Sequence, residues 1–132
     1  MSEQETAFLR EIYSLTKSTV DDLNRLLFEK IPGETYTFRF TPDQLKILEN
    51  LNLEPAEAEL LKKALRIMAM KVVYDTLCVI DGIVYTEEKV GDLALIDRET
   101  GQNIADDFLY EAFVGVVIDH ENEAGEHVFD PG

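Results

Sequence analysis

Two carboxylates set in otherwise apolar sequence, Asp75 and Asp81, are the residues of this chain whose type and setting come nearest to chemistry. Paired carboxylates perform general acid–base work when their surroundings push their proton affinities apart. Each also has a plainer use. Asp75 lies one helical turn beyond Lys71, the spacing of a surface ion pair. Asp81 precedes Gly82, where a carboxylate bonds the backbone N–H groups of a turn. The plainer use is the expectation for both, and no catalytic residue is assigned.

Metal and nucleophile chemistry find less support. An EF-hand loop needs Asp at its first position, Gly at its sixth and an acid at its twelfth. Counting from Asp119 puts Ala124 sixth, and counting from Asp97 puts Gln102 sixth and Phe108 twelfth, so both fail. His120 and His127 are the only histidines and lack the His-x-x-x-His spacing of a helical zinc pair. They are expected to face solvent, and no metal or cofactor is expected. Cys78 stands alone among Leu77, Val79 and Ile80, with acids rather than bases nearby, which suits a buried, inert thiol. The serines at 2, 14 and 18 all fall in the first helical segment, and no Gly-x-Ser-x-Gly elbow or glycine-rich phosphate loop occurs.

Charge carries more information. Residues 1–71 hold 10 of the 12 basic residues against 12 acids, whereas residues 72–132 hold Lys89 and Arg98 against 15 acids. Such a surface repels nucleic acid and anionic membrane and attracts basic proteins. The acids of the second half alternate with aromatics. Tyr85, Asp92, Asp97, Glu99, Asp106, Asp107, Phe108, Tyr110 and Glu111 form the candidate binding set. Carboxylates steer encounter and aromatic rings anchor the complex. The competing reading is a solvated acidic face whose aromatics point into the core.

The first functional expectation is a small acidic interaction protein, bacterial and cytoplasmic, that binds or neutralises a basic protein as an immunity protein or nucleic-acid mimic would. The alternative is a non-catalytic homo-oligomeric subunit, a homodimer for example, using spare apolar surface around Met68 and Met70. A small enzyme using Asp75 and Asp81 ranks third. The N-terminal sequence lacks the basic head and apolar core of a signal peptide, and a lone cysteine suits a reducing compartment. No window holds the roughly 18 apolar residues of a membrane helix.

The elements that must position these residues follow from periodicity. Ser2 and Glu5 have capping-box spacing, and Leu9, Ile12, Thr16, Val20, Leu23, Leu27 and Ile31 make a helical stripe that Pro32-Gly33 ends. A break near Ser18 is an open alternative. Tyr36, Phe38 and Phe40 alternate as in a strand. Thr41-Pro42-Asp43-Gln44 opens a short helix, and Pro55 opens the longest and most buried one, which Gly82 stops. Its broad core stripe is expected to be Leu61, Leu65, Met68, Val72 and Leu77, with Leu60, Ala64 and Ile67 alongside and Lys62, Lys63, Arg66 and Lys71 outward. Leu93–Ile96 should return through a reversal at Asp97–Gly101 to Ile104 as a small hairpin. Asn103 or Asp106 then caps a last helix with Phe108, Leu109, Ala112, Phe113, Val116 and Val117, although strand stays open for 113–118. The expected fold is α+β and predominantly helical: N-terminal helices, a small β-hairpin element and a C-terminal helix. A single compact domain over 1–118 and an acidic, flexible tail over 119–132 complete the expectation.

Overall fold

The structure, a computed structural model, describes residues 2–29, 40–83 and 90–124. Helix α1 (Glu3–Asn24) starts at Ser2, whose Oγ accepts the Glu5 N–H at 3.1 Å, and it continues through Ser18 without a break. Its last turn passes into a π-helical turn, Arg25–Glu29. That wider turn rotates the following side chains, so Leu26 is buried and Leu27 is only half-buried. Helix α2 (Pro42–Glu49) has the reciprocal cap its sequence requires. Gln44 N–H donates to Thr41 Oγ1 at 3.2 Å, and Thr41 N–H donates to Gln44 Oε1 at 2.9 Å. It rests on the π-helical turn and buries no side chain. Helix α3 (Pro55–Asp81) is the longest and ends at Gly82, whose φ of 72° only glycine adopts without strain. Helix α4 (Leu109–Ala124) closes the described chain.

The core lies where α1, α3 and α4 meet. Leu9 and Tyr13 of α1, Met70 and Leu77 of α3, and Leu109, Phe113, Val116 and Val117 of α4 form one buried cluster. Phe113 and Val117 are fully buried, which explains why β-branched residues stand in this helix despite their modest helix propensity. Residues 119 to 124, read from the sequence as the start of a tail, form the last turns of α4.

The expected α+β architecture is not what forms: the fold is all-α, with four α-helices and no β-strand among the described residues. The strand expected at 35–40 lies outside those residues, except Phe40, which is not extended into a ladder. The reversal expected at Asp97–Gly101 does form, with Gly101 at φ 71°, but its arms share a single antiparallel bridge, Ile96 to Asn103. Two inter-arm hydrogen bonds hold it: Asp97 N–H to Gln102 O at 2.9 Å and Ile104 N–H to Leu95 O at 3.0 Å.

The reason lies with α1, which takes the polar groups a ladder would need. Ser2 Oγ donates to Ile104 O at 3.1 Å, and the buried Glu5 carboxylate accepts the Asp106 N–H at 3.0 Å. Backbone groups so satisfied gain nothing from a sheet, and a lone two-arm ribbon is marginal in water.

Candidate functional site

Of the nine residues expected to bind a partner, Tyr85 lies outside the described residues. Asp92, Glu99, Asp106, Asp107, Phe108 and Glu111 are exposed, and Asp97 and Tyr110 are half-buried. The start of α4 brings the aromatics together. Phe108 and Tyr110 have ring centroids 5.7 Å apart, and Tyr74 of α3 meets Tyr110 edge-on at 5.6 Å. Tyr110 Oη donates to Glu111 Oε1 at 3.1 Å. Desolvation, then this hydrogen bond, pushes the Tyr110 phenol up from its ordinary value. Tyr110 therefore leans on the core, while Phe108 keeps 40% of its surface exposed. Asp107 and Phe108 line a shallow groove of about 170 Å³ with Leu93, Ala94 and Leu95.

Asp97 is drawn elsewhere. Its Oδ2 accepts Gln4 Nε2 at 2.6 Å, and its Oδ1 accepts the Glu99 N–H at 2.8 Å and the Thr100 N–H at 3.4 Å. The Gln4 hydrogen bond, helped by the two backbone ones, holds its carboxyl below the usual range. Asp97 shapes the turn and fastens it to α1, and Glu99 stands exposed beside it.

The two carboxylates nearest to chemistry also have structural partners. Asp75 is exposed and ion-paired to Lys71, a hydrogen bond that raises the Lys71 ammonium above its ordinary value. Asp81 Oδ1 accepts the Leu109 N–H at 3.0 Å and Oδ2 accepts the Tyr110 N–H at 2.9 Å. The last residue of α3 thus caps α4, the role expected of Asn103 or Asp106. Asn103 instead accepts the Ala105 N–H at 3.1 Å. Cys78 is a buried free thiol, pushed up by burial. His120 is half-buried rather than exposed: its ring lies 4.6 Å from that of Tyr13, and Nδ1 is 2.9 Å from Val116 O. It lies between two open grooves along the α1–α4 seam, of about 490 and 560 Å³. Among the described residues no group of His, Cys, Asp or Glu side chains is gathered to hold a metal.

The surface that periodicity misplaced is on α3. Of the stripe expected in the core, only Leu77 is buried, while Met68 and Val72 are 60% and 61% exposed. The expected polar face partly turns inward. Lys62 Nζ sits 5.3 Å from the Phe28 ring centre, and Lys62 and Arg66 line a groove of about 350 Å³ with Asp21, Arg25 and Glu29. The apolar side chains from Leu60 to Met68 therefore face largely outward, with Leu60 70% exposed and Leu61, Ala64 and Ile67 also exposed, whereas Met70 is buried in the core. The three-and-four spacing is visible in the sequence, but α3 packs on α1 and α4 through Met70 and Leu77, which leaves the Leu60–Met68 part of the expected stripe outward.

No family model matches the chain, and no curated protein or solved structure matches it. No described helix is long and apolar enough to cross a membrane.

Proposed function

We propose that the protein is a binding module that docks a basic protein partner on the acidic pole formed by the loop after residue 90 and the start of α4. The observation supporting this reading is the exposed Phe108 ring, set in a groove with Leu93 and Asp107. Residues 90–111 hold six acids against Arg98 alone. The field of that pole accelerates encounter with a cation-rich surface, and Phe108 supplies the desolvated anchor that sets the dissociation rate.

Capture of the tagged protein from its native lysate, first at low salt and again at about 0.5 M, tests this, because the Debye length then falls to roughly 4 Å. A basic protein retained at low salt and lost at high salt is expected. With that protein purified, Phe108→Ala should weaken binding about tenfold or more, chiefly through faster dissociation. A dissociation constant indifferent to both salt and Phe108→Ala would refute the reading.

A further inference from the structure

We propose that the outward face of α3 is a self-association surface on which a second copy of this chain packs its own α3, antiparallel, about a two-fold axis at Ala64. A helix face this apolar is covered by something in a stable protein. The residues on it identify a second copy as the cover, because they are arranged symmetrically in size and antisymmetrically in charge about Ala64. Leu61 and Ile67 lie three residues either side, Leu60 and Met68 four, and Glu57 and Lys71 seven. Seven-residue spacing keeps Glu57, Ala64 and Lys71 on one seam. In an antiparallel pair each residue meets its counterpart across the axis. Leu60 then meets Met68 of the second copy, Leu61 meets Ile67, and Glu57 meets Lys71 at both ends of the contact. Ala64, exposed and small, sits where the two helices come closest.

Charge selects the antiparallel orientation over the parallel one. Residues 60–71 contain Lys62, Lys63, Arg66 and Lys71 and no acid, so the contact avoids the acidic half of the chain. A parallel pair would set both acidic halves side by side. The antiparallel pair places the two Asp81 ends some 50 Å apart, from a rise of about 1.5 Å per residue, several Debye lengths at physiological salt. Lys71, already paired with Asp75 in its own chain, gains Glu57 of the second copy as a further partner.

Sedimentation or light scattering of the full chain at high micromolar concentration should give about twice the 15.0 kDa chain mass, and the dimer should persist at about 0.5 M salt. Met68→Glu buries a charge at the contact and should raise the dimer dissociation constant about a hundredfold or more, with helix content by circular dichroism unchanged. Glu57→Lys and Lys71→Glu should each weaken self-association, and the two variants mixed in equal amounts should form a heterodimer, since both end pairs are then of opposite charge. Ala64→Cys should cross-link under mild oxidation. A monomeric wild-type chain, a dimer that survives Met68→Glu, or the absence of a preferred heterodimer would each overturn the proposal. None of these results depends on the acidic pole, whose partner binding Met68→Glu leaves in place.

Discussion

Asp81 belongs in sequence to the end of α3, yet its carboxylate caps the first two N–H groups of α4, where the helix dipole favours negative charge. Asp81→Ala should therefore destabilise the fold by about 1–2 kcal/mol in urea unfolding, with Asp81→Asn recovering part of the loss. An Asp81→Ala protein as stable as the wild type would show that water caps α4 equally well. The sequence indicated a backbone-bonding carboxylate here but not its target, 28 residues away. Glu5 repeats the lesson: the capping-box spacing with Ser2 was legible, whereas the Asp106 N–H that its carboxylate accepts was not. Local pairs are written in local spacing; partners a hundred residues apart are chosen by how the helices pack.

Among the elements, α4 has a residue that its own helix does not require. Gly115 lies in the helix interior, and a Cβ built on it meets nothing within 4 Å. Gly115→Ala should stabilise the protein by about 0.5–1 kcal/mol, read as a higher unfolding midpoint, because alanine loses less backbone freedom on folding. An unchanged or lower midpoint would mean that the glycine meets a constraint absent from the isolated chain. The helices themselves were largely legible. Thr41-Pro42 opens α2, Pro55 opens α3, and Gly82 ends it, as capping chemistry dictates. The expected hairpin does not become a ladder because strand-like composition at 93–96 is a weak guide when the side chains of Ser2 and Glu5 supply hydrogen bonds a neighbouring strand would have made.

At the scale of the whole molecule, the formal charge is −15. The ion pairs Arg25–Asp22, Lys62–Glu59 and Lys71–Asp75 are all within one helical turn, where such pairs contribute only tenths of a kcal/mol. Self-repulsion of the acidic half then outweighs them, so the thermal midpoint should rise as sodium chloride goes from about 0.02 to 0.5 M. A midpoint that falls with salt would mean that attractive ion pairs dominate instead. The sequence by itself determined where α1 and α2 begin and where α3 begins and ends, that Cys78 is buried, and that acid concentrates in the second half, because caps, lone apolar settings and net charge are local or additive properties. Tertiary structure alone decided which face of α3 turns inward, where Asp81 and Glu5 find their donors, and that the segment around Asp97 never becomes a sheet. Each of those outcomes is a competition between distant groups for the same surface or the same hydrogen bond.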